Sequence, residues 1–484
     1  MSIVELDRSR NGAQRIVILG SGWAGYTLSR NLDHRKYQVV VVSPRSYFVF
    51  TPLLASTSVG TLEFRNALEP VRSRRNKTEF FQGWADGVDF ATKNLRIEEA
   101  VHDPQQGMAL TGDRHGRAEV PKKEGPGHEV EQIQKGQMFD LSWDRLVVAV
   151  GCYSQTFGTP GVKENAFFLK DVGDARRIRN KMLACFETAN LPTTSEEIKK
   201  ALLNFAVVGG GPTGIEFSAE LHDLIKEDMA RLYPDLIKYH KITVYDVAPQ
   251  ILSMFDQKLG KYAIDTFRRE GIDVKTSHHI ESLRKGLPES SQDKDAADAA
   301  SCFTIKLKEE GEVGVGLCVW STGLMMNPFV QKTIGGMGWK IQKNEKSGAI
   351  MTDDRLRALL DAESGSQKAA MKDVFALGDC AMIEGTNLPA TAQVANQKAL
   401  WLAKRLNKGD LDTRPFTFRD LGVMAYIGNW KAIMRSQGQD ISGTAAWVVW
   451  RGAYLAKSVS WRNRILIAVY WMVNFLFGRD ISRF

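Results

Sequence analysis

Residues 14–33, QRIVILGSGWAGYTLSRNLD, run from four consecutive aliphatic side chains into a glycine turn and then a helical pattern. The glycines Gly20, Gly22 and Gly25 stand in GxGxxG spacing. Between a strand and a helix that spacing has three uses: a tight turn, close backbone approach to a pyrophosphate, and close packing of helix on strand. Alone the motif is weakly specific. Here YQVVVVSP, residues 37–44, adds the next strand of a βαβ unit about twenty residues later. At its end Ser43 replaces the usual acid for a ribose, and a hydroxyl still hydrogen-bonds there, less strongly than a carboxylate.

The pattern recurs about 190 residues on. LNFAVVGGGPTGIEFSAEL, residues 203–221, places Gly209, Gly211 and Gly214 after a second apolar strand, and KITVYDVAP, residues 241–249, follows with Asp246 at its strand end. An acid there suits a free ribose 2′-hydroxyl and repels a 2′-phosphate, which selects NAD over NADP. A third element, DVFALGDCA at residues 373–381, is a strand ending in Gly378 and Asp379. With residues 145–162 and 317–328 it forms the pattern of flavoproteins with two dinucleotide-binding domains, in which the first fold returns late in the chain to complete an FAD site. Asp379 is then expected on the ribityl chain. The helix starting near Ala392 would point its positive end at the isoalloxazine.

Composition sets the bounds. A chain of 484 residues is about three times the usual ~150 residues per domain. Its net charge of +8 is mild for that length, and no basic block interleaved with aromatics points to nucleic acid. The five cysteines, Cys152, Cys185, Cys302, Cys318 and Cys380, are isolated and odd in number. This fits a reducing compartment and argues against a metal site or a disulfide framework. The segment 43–60 after the first glycine turn has no cysteine, so electrons are not expected to leave a flavin through a redox disulfide there. Neither a signal peptide nor a transit peptide is visible at the N-terminus.

From Gly443 the chain holds four of its eleven tryptophans, six basic residues and one acid. Its longest nearly apolar run, Ile465 to Gly478, has 14 residues, where a spanning helix needs about 20. An amphipathic anchor lying on a membrane surface is the expectation, with a tryptophan-rich dimer interface as the alternative. A lipid-soluble quinone is then the natural electron acceptor.

The fold class expected is α/β, with two Rossmann-like domains and a C-terminal amphipathic membrane-anchoring helical region. The boundaries expected are 1–168 and 331–420 for the FAD-binding domain, 169–330 for the NADH-binding domain and 421–484 for the anchor or dimer region. Two polar stretches, Val101 to Gln137 and Gly286 to Ala300, read as loops on the two domains, with disorder as one reading.

GSGWAG, SPRSYFVFTPLL, FLKDVGDA, VVGGGPTGIEFSAEL, FALGDCA, PATAQVANQ and DLGVMAYIG occur in that order over nearly the whole length. In this the chain resembles the type II NADH dehydrogenases, the alternative NADH:ubiquinone oxidoreductases, particularly the fungal mitochondrial form. The resemblance implies FAD in the first domain, NADH on the second, and two electrons passed to ubiquinone without proton pumping. It implies a peripheral protein of the mitochondrial inner membrane and a homodimer. Residue by residue, it places Glu216 between nicotinamide and flavin and Lys170 near the flavin with Asp171 beside it, a surface ion pair being the alternative. Thr51 and Pro52 would line the isoalloxazine, with Pro44 and Arg45 by the FAD phosphates or ribose. Gln393 and Gln397 match the quinone-site glutamines.

Gln393, Asn396 and Gln397 fall at i, i+3 and i+4, on one face of a helix. Some relatives carry His where this chain has Asn396. All eight histidines lie at or before His279, so protons for quinone are expected from water or from a carboxyl such as Glu384. No EF-hand pattern is present, so calcium control is not expected. Two other readings are a sulfide:quinone oxidoreductase, which would need Cys152 and Cys318 at the flavin, and a redox sensor like apoptosis-inducing factor.

Overall fold

Ile16, Val17, Ile18 and Leu19 are at most 1% exposed, as expected of a parallel strand covered on both faces. In the computed structural model the strand Gln14–Leu19 lies inside a ten-stranded sheet, between the parallel strands Tyr37–Ser43 and Arg145–Val148. The structure describes residues 3–73, 77–103, 105–112, 136–334, 340–361, 369–436 and 439–483. The late strand Ala370–Ala376 pairs in parallel with Arg145–Val148, so the chain does return to finish its first fold. Beyond Tyr37–Ser43 the sheet continues through Glu79–Asp89, Asn94–Glu99 and Met138–Ser142, the last two antiparallel to their neighbours.

The second glycine turn stands on a five-stranded parallel sheet. Its order is Phe167–Phe168, Leu317–Trp320, Asn204–Val208, Lys241–Asp246 and Ile272–Thr276. A short ladder, Cys152–Ser154 against Leu324–Met326, ties the crossing between the two folds.

Six helices position the site: α1 (Trp23–Asn31), α2 (Val172–Ala189), α3 (Pro212–Leu224), α4 (Ala392–Lys408), α5 (Thr444–Lys457) and α6 (Trp461–Phe477). Helix α2 starts on a capping box, in which Asp171 and Asp174 take the orphan backbone N–H groups of the first turn. Helix α4 is capped by Thr391 and stopped by Gly409, whose φ of 68° suits glycine.

The C-terminal region shares the cores of both folds. Tyr426, Ile433 and Trp450 belong to the apolar cluster of Phe217 and Leu221 on α3, and Ile467 joins Phe50 and Leu53. Two amides fix α6 to the first fold: Asn463 donates to Leu68 O at 2.8 Å, and Asn474 to Gly60 O at 3.1 Å and Thr61 O at 2.9 Å. The opposite side of α6 is bare, with Trp461 74%, Ile465 61%, Met472 57% and Phe475 71% exposed.

Both polar stretches are largely loops, as expected, but their described residues pack against the body of the protein. Residues 105–112, the described middle of the first, fold inward: Gly173 donates to Gly107 O at 2.8 Å and Ala109 N to Asp174 at 3.0 Å. Residue 104 and residues 113–135 of that stretch lie outside the described residues. Across 286–300, Thr194, just past α2, donates to Asp298 at 3.1 Å, and the buried Leu287 and Ala299 join the apolar cluster of Cys185 and Ala189 on α2. In both, a few small apolar residues and backbone hydrogen bonds outweigh polar composition.

Past α6 the chain ends in an ionic latch. Arg479 meets Asp228 at 2.6 Å, Glu227 at 2.7 Å and the Thr61 hydroxyl at 3.0 Å, and its side chain is 9% exposed. Removing one partner of a buried pair strands the other, at a cost of about 3–5 kcal/mol. Arg479→Ala should lower stability by about that amount, read from urea or thermal unfolding.

Candidate functional site

A cavity of about 590 Å³ opens at the carboxyl ends of the parallel strands, where doubly wound folds bind ligands. Gly20, Gly22, Ser43, Pro44, Arg45, Thr51, Lys170, Gly378 and Asp379 line it, as do Ala392 and Ala395 at the start of α4. Residues Gln105–Leu110 of the first polar stretch also form part of the wall. Sequence reasoning missed them, because their only signal was the short run Gly107–Leu110, free of charge, inside a polar insert.

The glycines divide their work. A Cβ on Gly20, whose φ is +107°, would stand 2.4 Å from Ala149 O, and one on Gly25 would stand 2.0 Å from Gly20 O. The middle glycine, Gly22, has nothing within 4 Å, so the space before its backbone is open. The second turn repeats the arrangement: Gly209 is crowded at 2.9 Å, Gly214 at 2.0 Å, and Gly211 is open. Open space before a helix N-terminus is what a pyrophosphate requires. The two turns therefore fit a dinucleotide each.

Asp246 stands at the second strand end, where its carboxylate accepts from Gly210 N at 2.5 Å and Ala248 N at 2.7 Å. Ser43 pairs with Ser21 Oγ at 2.9 Å and accepts from Arg45 N at 3.3 Å, so it braces the turn. Arg45 forms its ion pair with Asp171, which also receives Tyr47 OH at 3.3 Å. This goes against the alternative of a Lys170–Asp171 surface pair: Asp171 is drawn to Arg45 across the folds, leaving Lys170 to the cavity. There burial pushes the Lys170 ammonium below its usual range, against the pull of Asp379. Burial likewise raises Asp379, with Lys170 and then Lys398 opposing.

The pyridine nucleotide-disulphide oxidoreductase family model matches residues 14–399, and the NDH2 C-terminal domain model matches residues 421–480. The chain is 36% identical to a probable NADH dehydrogenase of Dictyostelium discoideum, over 97% of this chain and 91% of that protein. It is 36% identical to an internal alternative NAD(P)H-ubiquinone oxidoreductase A1, mitochondrial, of Solanum tuberosum, over 99% of this chain and 90% of that one. The chain belongs to the type II NADH dehydrogenases. Among solved structures, NDH2 from Plasmodium falciparum in complex with NADH shares the fold with a TM-score of 0.78 at 23% identity, over 97% of this chain and 99% of that one. The sulfide:quinone oxidoreductase of Aquifex aeolicus shares it with a TM-score of 0.64 at 16% identity, over 97% and 96%.

In this type II dehydrogenase the five cysteines are free and buried. Cys152 lines the cavity and donates to Asp379 O at 3.2 Å, whereas Cys318 sits inside the second sheet beside Ala206. The two expected quinone-site glutamines are already engaged with backbone. Gln393 gives its amide to Gly422 O at 3.2 Å and accepts from Leu421 N at 3.0 Å. Gln397 gives to Arg419 O at 2.8 Å and accepts from Arg419 N at 3.0 Å. Together they act as a false strand that staples residues 419–422 to α4. Asn396 departs from the expected common face and accepts from Thr27 of α1 at 2.8 Å. At 100° per residue it is turned away from Gln397 far enough to meet the neighbouring helix.

Glu216 is not on the cavity wall. It is 7% exposed and accepts from Tyr426 N at 3.1 Å and Trp450 Nε1 at 3.2 Å. These two partners come from the C-terminal region, more than two hundred residues away, and nothing in the local sequence marks them. Burial pushes the Glu216 carboxyl up to about 8, eased by those two donors and reinforced by Glu220. The folded protein then keeps a proton that the unfolded chain has lost above its ordinary carboxyl pKa of about 4.3. Native protein binds more protons in that window, so stability falls as pH rises from there to about 8. Glu216→Gln should remove the slope: variant Tm minus parent Tm should climb between about pH 5 and pH 8 and level off above.

Proposed function

We propose that this chain is an FAD-dependent NADH:ubiquinone reductase, acting without proton pumping as a peripheral protein of the mitochondrial inner membrane. NADH docks at the Gly209–Gly214 turn, with Asp246 on the ribose side, and FAD at the Gly20–Gly25 turn. FAD supplies the chemistry of taking two electrons from nicotinamide and giving them to quinone. The protein's own residues orient and gate that exchange. Thr51, Lys170 and Asp379 hold the cavity wall, and α4 aims its positive end at it. Glu216 keeps a proton near neutral pH beside Trp450 and Tyr426, which suits it to donate to reduced quinone. Glu384, the other carboxyl considered, is exposed beside the edge strand Ala381–Ile383. Gln393 and Gln397 shape the quinone segment by holding residues 419–422 in place.

The observation that carries this reading is the double role of α5. One side of it exposes Val448 at 58% and Val449 at 42%, while Trp450, at 4%, donates to Glu216. A helix that is bare outside and bonded to the buried acid inside offers a membrane-dissolved acceptor a route to that acid. No helix among the described residues is long and apolar enough to cross a membrane, and the bare faces of α5 and α6 suit burial at the headgroup level. The Solanum tuberosum relative named above carries ubiquinone and the mitochondrion in its name, which supports the same assignment. The expected homodimer draws on the same two helices.

Replacing Val448 and Phe475 with Glu takes two apolar anchors out of the bilayer, each worth about 1.5–3 kcal/mol. Vesicle binding should fall by roughly tenfold or more, and quinone reduction in vesicles with it, while reduction of a water-soluble acceptor by NADH stays intact. Full retention on vesicles would refute the anchor. Conversion of a dimer to a monomer in detergent, with vesicle binding kept, would assign the face to a second copy instead.

A further inference from the structure

Helix α4 carries a charge that neither the cavity wall nor the stapled loop uses. Lys398 stands four residues after Val394 and four before Leu402 on the buried stripe of the helix, and it is 2% exposed. Its Nζ donates to Ala381 O at 3.4 Å, the one hydrogen bond of that ammonium among the described residues. An ammonium has three protons to place, and a buried charge with so few partners is costly to keep. Methionine would fill the same space without that cost.

The charges around Lys398 explain its presence. The turn Gly378–Cys380, packed against α4, presents Asp379 and Cys380 to it. Helix α1, also packed along α4, has one charged residue, Arg30, which lies 5.4 Å from the Tyr26 ring. Asp379 lines the cavity and feels a second ammonium, Lys170, with Cys152 next to it. One carboxylate thus faces two buried lysines beneath a wall that also receives the positive end of α4. Around Asp379 the sum is a surplus of positive charge.

We propose that Lys398 is a positioning residue for the flavin: acting through the charge of Asp379, it makes the site favour the cofactor carrying two extra electrons. The inference rests on the FAD reading of the first glycine fold. Burial lowers the Lys398 ammonium to about 8, with Cys380 and Asp379 opposing. The effect is therefore present at neutral pH and fades as the lysine loses its proton.

The test uses full-length protein purified with its flavin, as the parent, Lys398→Met and Lys398→Arg. The flavin midpoint potential is measured by spectroelectrochemistry at about pH 6.5 and about pH 9.5, alongside thermal unfolding. In Lys398→Met the potential should fall at the lower pH by about 30 mV, a tenfold change in a two-electron equilibrium. That gap should close at the higher pH. Lys398→Arg should keep the parent potential at the lower pH and exceed the parent at the higher one. A purely structural lysine predicts a shifted unfolding temperature with parent potentials at both pH values, and that result would overturn the proposal. If Lys398→Met does not fold, Lys398→Gln takes its place, with the same expected fall. A parent without a flavin spectrum would instead sink the FAD reading itself, whatever the variants do.

Discussion

Two backbone contacts, too tight for any side chain, organise this protein. Gly25 presses against the carbonyl of Gly20, and Gly214 against that of Gly209, at distances where a methyl group would need to occupy the same 2.0 Å. Each contact brings a helix N-terminus down onto the end of a parallel strand, leaving the middle glycine facing empty space. The cavity, the direction of the helix dipoles and the meeting of the two sheets all follow from it. The third glycine of the motif is therefore a packing residue, and the second faces open space.

Helix α3 then joins the second fold to everything else. Its carboxylates descend one turn at a time, and each is met by a different part of the chain. Glu216 is met by Trp450 and the backbone of Tyr426, and Glu220 by Ser56 and Thr61. Asp223 is met by the Tyr426 hydroxyl at 2.5 Å. Buried carboxylates need donors, and here the donors come from the first fold and the C-terminal region. The same bonds that satisfy the acids close the three parts of the chain into one body. This is why the C-terminal helices, exposed and apolar outside, are not a detachable appendage.

Charge under the cavity follows the same logic of unlike partners drawn from distant segments. Asp171 is taken by Arg45, which frees Lys170 to face Asp379, and Lys398 faces Asp379 from α4. Lys398 could be noticed in the sequence as a cation on an apolar stripe, flanked by Val394 and Leu402. What it faces could not, because Asp379 is near it in sequence by chance of the fold and Lys170 lies more than two hundred residues away.

The glycine turns, their flanking strands, the returning strand near Asp379 and the short apolar tail were legible in the sequence. Each is written in local periodicity and backbone sterics, which act over a few residues. Gln393 and Gln397 were legible as paired amides on one face, but their partners were not, since residues 419–422 offer only backbone groups that no side-chain pattern announces. The inward folding of residues 105–112 and the burial of Glu216 beneath Trp450 belong to the same class. Local sequence determines which segments become strands, turns and amphipathic helices. Only the tertiary structure decides which buried charge meets which donor, because that choice is set by desolvation, and desolvation depends on every segment that arrives to exclude water.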